Sequence, residues 1–186
     1  MAAYRKRNAD GPNSEDKALD LFAEMMIEKI ESIRKDWRKP WFTEGALPWP
    51  RNLHGREYNG MNALMLLLHC EKQGYTIPRF CTFDCVRRLN TPGKDGQELP
   101  RVSILRGEKS FPVMLTTFTC IHKETKEKIR YEDYKKLSEK EQELYNVFPK
   151  MQVFRVFNVA QTNLREARPE LWEKLEQEVT RPQIED

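Results

Sequence analysis

The chain has 186 residues, with 32 Lys+Arg against 29 Asp+Glu, four Cys, 39% hydrophobic and 33% charged side chains. That length suits one domain with loose ends and can bury a core without disulfide or metal staples, while the large charged share predicts a wide solvated surface. The longest apolar run, 63–68, falls far short of the about 20 residues a spanning helix needs, the polar first residues hold no apolar leader, and cysteines at 70, 81, 85 and 120 without C-x-x-C fit reduced thiols in the cytoplasm.

Residues 1–16 mix Gly, Pro, Asn, Ser and charge without periodicity and read as a disordered tail. From there Leu19, Phe22, Met26, Ile30 and Ile33 recur at three- and four-residue steps, which predicts an amphipathic helix to about Lys35. Trp37 continues that face and reads as buried. Pro40, Pro48 and Pro50 keep 40–57 irregular. Asn59 is placed to cap an apolar helix over 62–73 that ends with Gly74 at C′. Residues 75–80 read as extended, Thr82 as the N-cap of a helix to about Asn90, and 91–100 as an exposed loop.

The texture turns to β from Val102. Phe111 to Ile121 reads as a strand, 124–127 as a hairpin tip, and 128–131 as its return. Residues 132–146 form a charged, mostly helical excursion in which Ser138 and Glu141 match a capping box. Gln152 to Asn158 alternates as a strand, and Pro169 opens a last helix with Leu171, Leu175 and Val179 on one side. The expected fold is α+β: N-terminal helices packed on a small, mostly antiparallel sheet, with a C-terminal helix. The expected divisions are a tail over 1–16, a domain over 17–162, and a C-terminal helix and linker over 163–186.

Charge is unevenly placed. Residues 1–33 sum to −2, residues 34–109 to +6 and residues 110–186 to −1. A basic middle suggests a polyanionic partner. Within it, Arg34-Lys35-Asp36-Trp37-Arg38-Lys39-Pro40-Trp41-Phe42 and Trp49-Pro50-Arg51-Asn52-Leu53-His54-Gly55-Arg56-Glu57-Tyr58 interleave cations and aromatics on Pro-stiffened backbone. Single-stranded nucleic acid wants that mixture, because cations track phosphates and flat rings stack on unpaired bases. The alternative is that the rings pack in the core and the cations snorkel to water. Trp41 and Trp49 stay open between the two.

Catalytic signatures are missing. His54, His69 and His122 make no H-E-x-x-H, and no P-loop, G-x-S-x-G or G-x-G-x-x-G occurs. Cys81-x-x-x-Cys85, with Cys70, Cys120, His69 or His122, has the ligand types of a zinc site, yet each cysteine sits among apolar residues and reads as a packing side chain. Neither a metal, a cofactor nor an enzyme activity is expected.

The order of motifs carries more than any one of them. W-R-K-P-W (37–41) is followed by P-R-N (50–52), H-G-R-E-Y-N-G-M-N (54–62), Phe80-x-Thr82-Phe83, L-R-G-E-K-S (105–110) and V-F-N-V-A-Q-T (156–162). This succession resembles the N-terminal domain of the ArdC family of antirestriction proteins, a domain also found at the front of the plasmid primase TraC. The resemblance covers about residues 17–162. It implies sequence-tolerant single-stranded-DNA binding that protects incoming DNA of conjugative plasmids and mobile elements, in a monomer. It also implies that a metalloprotease domain follows in full-length relatives. This sequence carries no such motif before Asp186, so it is read as the binding domain alone.

Arg38, Lys39 and Trp41 of the basic–aromatic segment are binding candidates, and carried onto matching positions so are Arg51 and Asn52 of P-R-N and Arg56, Tyr58, Asn59 and Asn62 of H-G-R-E-Y-N-G-M-N. Arg106 and Lys109 come from L-R-G-E-K-S. Arg51, Arg56, Arg106 and Lys109 would meet phosphates, and Tyr58 or Trp41 would stack a base. Asn59, Gly60 and Asn62 read equally well as a helix cap and tight turn, and Gly107 as a positive-φ turn. A different class of function, a protein-interaction domain that binds a partner such as a restriction subunit, is kept open by the acidic 132–146 excursion.

Overall fold

The computed structural model describes residues 13–35, 47–91 and 99–180. In chain order, helix α1 (Ser14–Lys35) and strand β1 (Arg51–Asn52) are followed by α2 (Gly60–Gln73), β2 (Arg79–Cys81) and α3 (Phe83–Leu89). Then come β3 (Phe111–His122), β4 (Lys128–Arg130), α4 (Tyr131–Tyr134), α5 (Glu139–Gln142) and β5 (Tyr145–Asn158). A 3-10 turn (Val159–Gln161), α6 (Leu164–Ala167) and α7 (Pro169–Thr180) complete the described chain. The strands lie in the order β1-β2-β5-β3-β4, with β1 parallel to β2 and the β2–β5 and β3–β4 pairs antiparallel. This is the expected α+β class with its C-terminal helix.

Two compact units share the chain. The larger takes the described residues between 20 and 113 and from 155 onward; the smaller takes 114–154 with the start of α1 up to Leu19.

In the larger unit α2 is apolar nearly all round, and Ala63, Met65, Leu66, Leu67, Leu68 and Cys70 are all buried, as a core helix requires. Gly74 ends it at φ +72, with its N–H on the Cys70 carbonyl, a left-handed cap that glycine adopts without strain. Thr82 caps α3 by accepting from the Cys85 N–H at 3.2 Å. A second apolar group gathers Ile77, Cys81, Val86, Val102, Val159, Leu164, Ala167 and Leu175. Leu171 and Val179 pack against it, so α7 buries the side its periodicity predicts.

Helix α1 differs from its expected face. Phe22 is buried as predicted, but Ala18, Met25 and Lys29 share that face, while Leu19 and Ile30 are exposed. The stripe is rotated by about one residue because Lys29 is buried usefully: its ammonium lies 2.8 Å from Glu71 Oε2 on α2, and Phe22 stacks on Phe111 at 6.0 Å. Strand β5 is also longer than predicted, starting at Tyr145.

In the smaller unit β3 and β4 pair antiparallel and several rings cluster. Phe118 stacks on Tyr131 at 4.4 Å, Tyr131 on Tyr134 at 5.9 Å, and His122 meets Tyr145 edge-on at 5.0 Å. The Ser138–Glu141 capping box is present, each side chain bonding the other's backbone N–H.

His69 of α2 gives the larger unit a pH signature. Its ring stacks on Phe111 at 4.2 Å, and its Nε2 finds no hydrogen-bond partner among the described residues. Burial, helped by the nearby Lys72 charge, lowers its pKa from 6.5 to about 4. The unfolded chain therefore takes up a proton that the folded protein refuses across that window, and stability falls as the pH drops through it. The expected loss is about 1–2 kcal/mol, allowing for partial solvent contact. Urea unfolding between neutral pH and pH about 4.5 should show this slope in the wild type and not in His69→Phe; an unchanged slope in the variant would assign it to other groups.

Candidate functional site

The P-R-N and H-G-R-E-Y motifs form one tight hairpin. Tyr58 N–H donates to the Pro50 carbonyl at 3.0 Å, Asn52 N–H to the Arg56 carbonyl at 2.8 Å and Gly55 N–H to the Asn52 carbonyl at 3.0 Å. Asn52 also shapes the tip from its side chain, its Oδ1 accepting from the His54 and Arg56 N–H groups at 3.0 and 2.9 Å. Gly55 stands at φ +90, which an L side chain rarely adopts. The hairpin is fastened to β2 by Arg51 N–H on the Pro78 carbonyl and Leu53 N–H on the Phe80 carbonyl, at 3.0 and 2.9 Å.

Side chains of this hairpin face different ways. Arg56 is exposed. Arg51 is partly exposed and paired with Glu57 at 2.6 Å. Tyr58 is half-buried, its ring set edge-on to Phe80 at 6.2 Å, and burial pushes its hydroxyl up to about 12; it packs inward rather than offering a stacking face. Trp49 offers one instead: it is 45% exposed, and its indole N–H donates to the Tyr58 carbonyl at 2.6 Å, which fixes the ring. Asn59 is the exposed N-cap residue of α2, with extended backbone and no capping bond from its side chain; Asn62 is half-buried in the first turn of that helix.

Arg106 and Lys109 are exposed on a second turn, where Gly107 stands at φ +89 and Glu108 N–H reaches the Leu105 carbonyl at 3.3 Å. That turn hangs from V-F-N-V-A-Q-T. Buried Gln161 donates from Nε2 to Glu108 Oε2 at 2.8 Å and to the Lys109 carbonyl at 2.9 Å, and its own carbonyl accepts from Leu105 N–H at 2.9 Å. Asn158, fully buried, donates from Nδ2 to the Ile77 carbonyl at 2.9 Å and accepts on Oδ1 from Ala160 N–H at 2.9 Å. Since β1 runs parallel to β2 and β5 antiparallel to it, the hairpin tip and the 105–109 turn leave this three-strand frame from opposite ends. Arg38, Lys39 and Trp41 lie outside the described residues.

The sequence reading missed Arg79 and Glu178. Arg79 on β2 is buried and pairs with Glu178 of α7; both line a pocket of about 140 Å³ with Trp49 and Arg51. The available signal was a lone arginine between Pro78 and Phe80 in an otherwise apolar strand.

The cysteines are protonated packing groups. Burial pushes the Cys70 and Cys81 thiols up to about 12 and raises Cys85 and Cys120 as well; His54 Nε2 lies 3.6 Å from Cys85 Sγ. Among the described residues no group of three or more His, Cys, Asp or Glu is arranged to hold a metal ion, and no helix is long and apolar enough to cross a membrane.

The family model described as the N-terminal domain of anti-restriction factor ArdC matches residues 16–157, from α1 to the end of β5. The chain belongs to the ArdC N-terminal domain family. The matched stretch carries both basic turns, and α7 lies beyond it. Among solved structures, the metal-free crystal structure of the antirestriction ArdC protein from plasmid R388 is similar, at 22% identity and a TM-score of 0.47, over 77% of this chain and 42% of that one. Its Mn(II)-bound form is similar at 21% identity and a TM-score of 0.44, over 77% and 40%. The chain thus spans about two-fifths of the length of ArdC. No curated protein matches.

Proposed function

We propose that this chain is a sequence-tolerant single-stranded-DNA-binding module of an anti-restriction protein, acting in the cytoplasm as a monomer and without chemistry of its own. The observation that carries the reading is the hydrogen-bonded hairpin at 49–58, which holds an oriented, exposed Trp49 near Arg51 and carries exposed Arg56 at its tip. Membership in the ArdC N-terminal domain family supports it. The mechanism is occupancy: a covered single strand is not available to a nuclease or to an enzyme that reads duplex. Backbone cations provide affinity without sequence information, and a ring that accepts any base adds about 1–3 kcal/mol for each stacked base.

Fluorescence anisotropy of a labelled mixed-sequence 20-mer, single-stranded and duplex, at two salt concentrations, tests this directly. Binding should favour the single strand and weaken steeply with salt. Absence of binding at low salt would overturn the reading and return the basic middle to a solvated face, leaving protein interaction as the function to pursue.

A further inference from the structure

Arg79 is an expensive residue to keep where it is. All three residues of β2 are buried, and the Arg79 side chain is 9% exposed. A buried guanidinium needs an anion and filled donors. The Asn52 carbonyl accepts from Nη1 only weakly, at 3.4 Å, so neutralisation falls to Glu178, which pairs with Nη2. Glu178 is a closely paired anion at the edge of solvent. It is 37% exposed and stands in the last turn of α7, a turn with no basic side chain, where the helix's C-terminal carbonyls disfavour a carboxylate.

The same pocket is lined by Trp49, whose indole N–H is held by the Tyr58 carbonyl, and by Pro48, Pro78 and Arg51. The lining thus includes a partly exposed aromatic ring. The lining also carries two guanidinium groups, each paired with a carboxylate.

The geometry points to this pocket as a subsite for one nucleotide unit of a single strand: the base lies on Trp49, the adjoining phosphate takes Arg79, and Glu178 is the built-in anion that the phosphate displaces. This inference rests on the single-strand reading above. A phosphate presents two oxygens to a guanidinium in the favoured bidentate geometry. Only an unpaired base can lie on the ring. Glu178 thereby sets a threshold, keeping Arg79 neutralised against weak anions and yielding to a phosphate that arrives with a stacking base.

The test compares Glu178→Gln with Glu173→Gln, which removes the same charge from an exposed site on the same helix. Against a labelled oligo(dT) 20-mer, Glu178→Gln should bind about tenfold tighter than wild type, and Glu173→Gln less than about twofold tighter, since an exposed charge is screened. Adding Trp49→Ala to Glu178→Gln should remove the gain. A thermal melt shows whether Glu178→Gln is folded. A second measurement needs no change at Glu178: oligo(dT) should quench tryptophan fluorescence in the wild type, and Trp49→Phe should lose most of that quenching. Equal affinities for the two glutamine variants, or quenching that survives Trp49→Phe, overturn the subsite while the single-strand reading stands. If the wild type binds no oligonucleotide at low salt, both fall together.

Discussion

Asn158→Ala is expected to lower the unfolding free energy by about 3–5 kcal/mol, read as a drop in the urea midpoint with an unchanged slope. The side chain is fully buried and ties two backbone groups together, while the residue's own N–H engages a neighbouring side chain. Nδ2 serves the Ile77 carbonyl, Oδ1 serves Ala160 N–H, and the residue's own N–H donates to Gln161 Oε1 at 2.8 Å. Truncation leaves a carbonyl and an N–H unpaired away from water, at about 1–3 kcal/mol each, and adds a small void. Asn158→Asp keeps the shape but replaces the donor with a buried charge. Its folded pKa is raised above the unfolded value, so its deficit should shrink as the pH falls and the carboxyl regains a proton to donate. A loss below about 1 kcal/mol in the alanine variant would mean that water replaces the side chain and that the frame is pinned elsewhere.

This arrangement shows where sequence reasoning reaches and where it stops. Elements with local punctuation were legible: Gly74 ends α2, Thr82 caps α3, the Ser138–Glu141 box opens α5 and Pro169 starts α7. The chemistry that sets each boundary lies within four residues of it. The face of α1 was not legible, because its burial follows Lys29 and Lys29 follows Glu71, 42 residues away. Strand β1 is two residues with no β propensity of their own, and it exists because the Pro78 and Phe80 carbonyls accept from Arg51 and Leu53.

The site divides in the same manner. The 105–110 turn could be located from its motif, and Gly107 does stand at positive φ, whereas the 50–58 stretch read as irregular and is a hairpin with Gly55 at φ +90. The division of labour inside the motifs could not be read. Asn52 and Gln161 spend their polar atoms shaping turns, Tyr58 packs on Phe80, and the exposed ring of the hairpin is Trp49. The Arg79–Glu178 pair joins residues 99 apart, a separation at which no spacing rule applies. Motif order singled out the two segments; the hydrogen-bond partners show which of their side chains shape the turns and which stay exposed.

Reversing Arg56, Arg106 and Lys109 together to Glu is expected to weaken single-strand binding about a hundredfold or more at low salt, nearly equally for all sequences. All three side chains are exposed, so the fold should tolerate the change, and an unshifted melting temperature would confirm that. The sharper readout is the salt dependence. Each phosphate neutralised on a single strand contributes about 0.7 to the slope of log K against log salt, so losing three contacts should flatten the slope by about two. Reversing Lys140, an exposed cation on α5, should leave the slope in place. The two turns leave the frame from opposite ends, which makes the separate variants informative as well. If Arg56→Glu and the Arg106→Glu/Lys109→Glu pair each flatten the slope in proportion to their charges, one strand contacts both turns. If only one does, the bound strand passes that end alone. A steep slope that survives all three reversals would take the phosphates away from these turns and leave the Trp49–Arg79 pocket as the place where the strand is held.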